Sequence, residues 1–226
     1  MGLPIDACIG SPAGSVSGSR ARAIVVEPQV LLLDEPLGAL DLNLRRQMQD
    51  ELVSLQRRLE LTFVHVTHNQ DEANSIADVI ALMKDGRIED MGAPDRIYLR
   101  PATRFTAAFM GDSNVVPARI GRASQGWARV ETPLGTIEVG TDRPAGWVGH
   151  ASIRPEHLKP AAEEGTIPFG RHEIESMTFQ GTHWCCRLKL GDDTRLSMRM
   201  PADRPFDRDG PAEIHLSPDR IVLLDR

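Results

Sequence analysis

Two adjacent carboxylates end a short apolar segment of this chain. The segment reads Val30-Leu31-Leu32-Leu33-Asp34-Glu35-Pro36, and its length suits a buried parallel strand. Ligands of an open α/β sheet bind at the carboxyl ends of its strands. Two neighbouring acids cannot both point into one core, so one natural arrangement places one carboxylate on a metal ion and the other on a nucleophile. The alternative is a strand that merely ends in an acidic turn.

A histidine follows the next predicted strand. Residues 62–67 are β-branched and mostly apolar, as suits a covered parallel sheet, and His68 stands at their end. Taken alone, His68 would be an ordinary strand-end histidine. His65 lies three residues earlier, and residues three apart in a strand point to opposite faces, so the pair does not predict a metal site.

Helical patterns surround these two strands. Asp41 or Asn43 can cap a helix over about residues 44–59, and acids in the first turn begin another at residues 70–73. Asp85-Gly86 predicts a hairpin turn, and two short helices are expected near residues 94–99 and 103–110.

The pattern changes after Gly111-Asp112-Ser113-Asn114. Beyond this point, short alternating strands separated by Gly and Pro predict a small β barrel or sandwich. The predicted organisation is therefore an irregular segment over 1–19, an α/β part over 20–112 and an all-β domain over 113–226.

Composition excludes several classes of protein. The 226 residues are 41% hydrophobic and 26% charged, as in a folded globular protein. The net charge of -6 argues against nucleic-acid binding. No apolar stretch approaches the ~20 residues needed to span a bilayer, so direct bilayer insertion is not expected. The three cysteines are expected to be reduced thiols in the cytoplasm.

The acidic strand end and its continuation resemble a known family. Asp34-Glu35 followed by Leu37-Gly38-Ala39-Leu40-Asp41 is similar to the Walker B strand and the next turn of ABC transporter ATPases. Residues 63–73 and 92–101 extend the likeness to importer subunits of the spermidine/putrescine type. Residues 111–114 and 153–156 resemble the transport-associated OB domain. The resemblance implies a partial P-loop NTPase (ABC) domain of α/β class followed by a small OB-like barrel.

The resemblance also implies roles for single residues. Asp34 would hold Mg²⁺ through water and Glu35 would polarise the water that attacks ATP. His68 would hydrogen-bond the γ-phosphate, while Asp41 would lie in the turn that reaches across a nucleotide-sandwich dimer. Ser11 matches the serine of the family's signature loop. The implied cofactors are ATP and Mg²⁺, and the implied partners are transmembrane permease subunits and a second ATP-binding subunit. The subunit would be cytoplasmic, at the inner face of the membrane.

Two departures from the family are visible. The chain contains no G-x-x-x-x-G-K-[ST] phosphate loop, and Gly10-Ser11-Pro12-Ala13-Gly14 matches the signature Leu-Ser-Gly-Gly-Gln only at Ser11. We therefore expect the C-terminal part of such a subunit, with residues 1–19 mis-started or frameshifted. The alternative is a non-enzymatic remnant whose barrel is a regulatory or dimerising module. An oligonucleotide-binding barrel is a third alternative, disfavoured by the acidic charge.

The isolated chain is expected to hydrolyse no detectable ATP. Phosphoryl transfer depends on electrostatic positioning, and the amides and lysine of a phosphate loop are missing from the sequence. Phosphate release from Mg-ATP measures this directly. Turnover that disappears in Glu35→Gln would contradict the prediction.

Overall fold

The structure, a computed structural model, describes residues 29–190, 194–203 and 211–225. The chain forms two compact units, of which one ends at Ile80 and the other begins at Ala81. The predicted irregular segment 1–19 lies outside the described residues.

The described part of the first unit alternates strands and helices. Its elements are β1 (Val30–Asp34), α1 (Leu42–Leu59), β2 (Thr62–Val66) and α2 (Gln70–Ile76). The two strands pair in parallel from Val30 opposite Thr62 to Asp34 opposite Val66. Their carboxyl ends therefore lie side by side, as an α/β sheet requires of a ligand site.

The sheet of the first unit is apolar on both faces, but only one face is packed. Leu31 and Leu33 are buried with Leu52 of α1. On the opposite face, Val64 and Val66 are 45% and 50% exposed. Among the described residues, α1 and α2 both pack against the face of Leu31 and Leu33, so the face of Val64 and Val66 is exposed.

A hairpin and two short helices follow. The hairpin consists of β3 (Ile80–Lys84) and β4 (Arg87–Gly92). Asp85 and Gly86 both have positive φ, 50° and 73°, as a two-residue I′ turn requires. The helices are α3 (Pro94–Leu99) and α4 (Arg104–Phe109). The sequence predicted all four elements to within two residues at each end.

Ten further strands in the described ranges form two sheets. They are β5 (Asn114–Ser124), β6 (Trp127–Thr132), β7 (Gly135–Gly140), β8 (Val148–Ile153), β9 (Leu158–Lys159), β10 (Ile167–Phe179), β11 (His183–Lys189), β12 (Arg195–Pro201), β13 (Ala212–Leu216) and β14 (Val222–Leu224). One sheet has the order β12-β11-β10-β13-β9 and the other β14-β8-β5-β6-β7. Both contribute to a single apolar core, which gives a barrel-like, mostly-β arrangement.

The alternation read from the sequence decides which side chains enter this core. Alternate residues of β11, β12 and β13 supply buried apolar side chains, namely Cys186, Leu188, Leu196, Met198, Met200, Ile214 and Leu216. Trp184 and Ala212, at the start of β11 and β13, are half-buried, and His215 of β13 is buried as well. Burial raises the pKa of the Cys186 thiol to about 11. This thiol is therefore protonated and unreactive at neutral pH.

An amide side chain joins the two sheets. Asn114 begins β5, and β12 is the edge strand of the other sheet. The Asn114 side chain donates to the carbonyl of Ser197 at 2.8 Å and accepts from its backbone N–H at 2.7 Å. A buried amide thus replaces a neighbouring strand at this point of the β12 edge.

A buried arginine joins the short helices to the barrel. Arg154 follows β8, is 3% exposed, and its guanidinium lies 4.0 Å from the ring centroid of Tyr98. It donates to the carbonyls of Tyr98 at 2.7 and 3.1 Å, Ala107 at 3.0 Å, Gly111 at 3.2 Å and Asp112 at 3.1 Å. These contacts join residues on both sides of the predicted domain boundary at residue 112 within one compact unit. The boundary itself stays a prediction.

Replacing this arginine is expected to destabilise the second unit strongly. Arg154→Ala leaves four carbonyls without their donor, which costs about 3 kcal/mol of unfolding free energy. Denaturant unfolding measures the change. Arg129→Ala is the matched control, because Arg129 is 56% exposed and lies 3.6 Å from Glu138. Equal losses in the two variants would contradict the prediction.

Candidate functional site

The acidic pair stands where β1 ends beside β2. Asp34 is the last residue of β1, is exposed, and pairs with Val66 in register. The N–H of Glu35 donates to the carbonyl of Val66 at 2.9 Å, so the pairing continues one residue past the strand. Both acids therefore lie at the carboxyl edge of the sheet, as the sequence predicted.

Glu35 has a backbone conformation that few non-glycine residues adopt. Its φ is 41°, in the left-handed region. Such residues cost roughly 1–3 kcal/mol and cluster at functional sites, where surrounding contacts hold them.

The Glu35 carboxylate meets the predicted histidine. The Nδ1 atom of His68 lies 2.8 Å from Oε1 of Glu35. The side chains are 76% and 55% exposed respectively, so both remain accessible to a ligand. Two residues that are 33 positions apart in sequence thus form one polar pair at the sheet edge.

Asp41 caps the helix that follows the turn. Its carboxylate accepts from the backbone N–H groups of Asn43 and Leu44, both at 3.0 Å. This is the N-cap arrangement, in which a side chain satisfies amides that the helix leaves unpaired. Of the two cap candidates in the sequence, the structure uses Asp41.

One buried carboxylate near the site was not predicted. Glu72 is 2% exposed and lies 2.6 Å from Nε2 of His65, and it accepts from the hydroxyl of Thr67 at 2.8 Å. A signal was available in the sequence. His65 and Thr67 are two apart in an extended segment and share a face, and an acid begins the next helix.

The predicted magnesium ligand fits the ion only in part. Asp34 offers the hard oxygen that Mg²⁺ prefers. Among the described residues, no three His, Cys, Asp or Glu side chains are grouped as metal ligands. Mg²⁺ commonly takes one or two carboxylates and completes its shell with phosphate and water, so Asp34 would hold it together with a bound nucleotide.

Two further predictions concern the signature loop and the membrane. Ser11, the predicted signature-loop residue, lies outside the described residues. In the ranges that the structure describes, no helix combines the length and the apolar character needed to cross a membrane.

Comparisons with known proteins define the class. Residues 151–224 match the family model of the TOBE domain. The chain is also 40% identical over 186 residues to the spermidine/putrescine import ATP-binding protein PotA of Pseudomonas fluorescens, covering 80% of this chain and 49% of that protein. The Mesorhizobium japonicum protein of the same name is 34% identical over 235 residues, covering 98% and 64%. The Ruegeria pomeroyi protein is 41% identical over 182 residues, covering 79% and 49%.

These matches identify the chain as a C-terminal region like that of ABC ATPases. The region is PotA-like and includes a TOBE domain. The chain spans about half the length of most of the relatives named above. A solved structure of the cytoplasmic molybdate-binding protein ModG aligns with a TM-score of 0.40 at 8% identity over 50% of this chain and 96% of that one, a likeness too weak to carry a conclusion.

Two variants of Asp41 distinguish the effect of its helix cap from the effect of its charge. Asp41→Ala is expected to lower the unfolding free energy of the first unit by about 1 kcal/mol, whereas Asp41→Asn should leave it nearly unchanged. Asn accepts the same two backbone N–H groups. Thermal or denaturant unfolding followed by circular dichroism measures both. Asp50→Ala, at an exposed position within α1, is the control. A loss in Asp41→Asn equal to that in Asp41→Ala would show that the charge matters and not the cap.

Proposed function

We propose that this chain supplies the hydrolytic edge of an ABC importer ATPase, followed by its TOBE domain. The observation that carries the proposal is the contact between Glu35 and His68 at the carboxyl edge of β1 and β2, at 2.8 Å. Glu35 is held there in a left-handed backbone conformation, which favours a functional role over an incidental acidic turn.

The residues divide the chemistry among them. Glu35 would accept a hydrogen bond from the attacking water and orient it, which is the usual task of the base-like residue in nucleotide hydrolases. Because Nδ1 of His68 faces Glu35, Nε2 is the atom that would reach the γ-phosphate of ATP. The two ring nitrogens of His68 would then contact Glu35 and the phosphate separately. When bound, Mg²⁺ beside Asp34 would neutralise charge on the phosphates.

The names of the relatives support a proposal for the cargo and the partners of this chain. Three relatives are named for the import of spermidine and putrescine, which supports a polyamine-type cargo. We propose that the chain acts at the cytoplasmic face of the membrane with transmembrane permease subunits. A second ATP-binding subunit, forming a homodimer with the first, would bring the Asp41 turn across the shared nucleotide. ATP binding would close this dimer, and hydrolysis would reset the permease.

A second function is favoured by the second unit itself. Among the described residues, the ten strands β5 to β14 contribute to one core, and Arg154 ties the short helices to them. This unit could serve as a regulatory or dimerising module without catalysis. Hydrolysis by a chimeric protein distinguishes the two functions, since only the first depends on Glu35.

A chimera tests the hydrolytic role. It joins the part of the Pseudomonas fluorescens relative that precedes its counterpart of Val30 to this chain from Val30 onward. The parent chimera is expected to hydrolyse Mg-ATP, and Glu35→Gln is expected to lower kcat by about 10²-fold or more because the carboxylate no longer orients water. Phosphate release under saturating ATP is the measurement.

The control for the chimera is a glutamate away from the site. Glu51→Gln changes an exposed residue of α1 and should leave kcat unaltered. A folded chimera that binds ATP but hydrolyses none, or hydrolyses it independently of Glu35, would contradict the proposal and leave the non-enzymatic module as the better description.

A further inference from the structure

Glu72 is a buried carboxyl group close to the proposed site, with a hydrogen-bond partner on each of its oxygens. It is 2% exposed, and its two carboxylate oxygens have different partners. Oε1 lies 2.6 Å from Nε2 of His65, and Oε2 accepts from the Thr67 hydroxyl at 2.8 Å. A carboxylate is buried at high cost unless such partners satisfy it, and a position in the first turn of α2 adds favourable helix dipoles.

The contacts of Glu72 continue around the loop that carries His68. The Thr67 hydroxyl donates to Glu72 and accepts from the backbone N–H of Asn69 at 3.0 Å. The Asn69 side chain accepts in turn from the N–H groups of Asp71 at 2.9 Å and Glu72 at 3.2 Å. Thr67, Asn69 and Glu72 thus form a closed ring of hydrogen bonds, which we call the Glu72 clamp. Both neighbours of His68 in sequence belong to it.

His68 itself has little packing to hold it. Its side chain is 76% exposed, and its hydrogen bond to Glu35 joins two exposed groups. Exposed ion pairs contribute little and do not order flexible side chains by themselves. The order of the His68 backbone must therefore come from its neighbours, and sites of this kind depend on such supporting contacts.

We propose that Glu72 is a positioning residue, whose clamp on Thr67 and Asn69 holds His68 against Glu35. Glu72 touches neither nucleotide nor water in this role and acts only through the histidine. The inference rests on the proposed ATPase function, because it assigns to Glu72 a task in the same reaction. A merely structural Glu72 would stabilise α2 against β2 without affecting the contact between His68 and Glu35.

The first measurement uses the full 226-residue chain. NMR on a sample with labelled histidines follows the contact of the His68 ring with Glu35 and the hydrogen exchange of the Asn69 amide. Glu72→Ala is expected to remove the ring contact and to raise the Asn69 exchange rate at least tenfold. Glu72→Gln, which keeps an acceptor for Thr67, should restore much of both. Asp71→Ala, which removes the neighbouring exposed acid, is the matched control.

A second variant covers the case in which Glu72→Ala does not fold. Thr67→Val has nearly the same shape but removes the hydroxyl, so it opens the clamp and leaves His65 on Glu72. Thr62→Val, at the exposed start of β2, is its control. A Thr67→Val chain that is folded and keeps the contact of His68 with Glu35 would overturn the proposal.

The second measurement uses the active chimera in a double-mutant cycle. Glu72→Ala or Thr67→Val is expected to lower kcat about tenfold with KM unchanged, and to have no further effect in a His68→Ala background. An equal effect in that background would overturn the positioning role, since Glu72 would then act independently of His68. If the parent chimera lacks Glu35-dependent hydrolysis, the proposed function fails, and the NMR contact alone decides whether the clamp holds His68.

Discussion

The parallel pairing of β1 with β2 is the constraint on which the candidate site depends. Because Asp34 lies opposite Val66, the residues that follow both strands emerge at the same edge. In this register Glu35 and His68 meet at 2.8 Å. A shift of β2 by one residue would exchange its two faces. His65 would then leave the packed face, and Val64 and Val66 would enter it. The contact between Glu35 and His68 thus depends on the pairing of the two strands and not on either residue alone.

Buried polar side chains perform a second task, since they connect segments that strand pairing does not reach. Arg154 donates to carbonyls near the ends of α3 and α4. Asn114 hydrogen-bonds to the edge of β12, and Glu72 accepts from the loop that follows β2. Each group is costly to bury alone and becomes stabilising only with all of its partners present. These residues therefore make local geometry highly specific, and their loss is felt at several elements together.

The second unit is larger than the barrel that the sequence predicted. It begins at Ala81, well before the barrel strands, and it is held together by one core and by Arg154. Residues 98–112 belong to the segment that the sequence assigned to the end of the α/β part. Arg154 bonds this stretch to the TOBE-containing unit. In an importer subunit of the proposed kind, the barrel would therefore move together with α3 and α4 and not as a separately tethered module.

The sequence by itself determined what depends on local pattern and on motif. Periodicity predicted the hairpin, the short helices and the inward faces of β11 to β13, and the acidic strand end led to the ABC family that the relatives support. Only the tertiary structure decided that Glu35 and His68 touch and that Glu72 is buried in the loop that carries His68. It also decided that Val64 and Val66, on one face of the β1–β2 sheet, are exposed. It also joined residues 98–112 to the barrel through Arg154. The reason is physical: alternation and caps are set by neighbours along the chain, whereas pairing, burial of charge and the covering of a face depend on residues tens of positions apart.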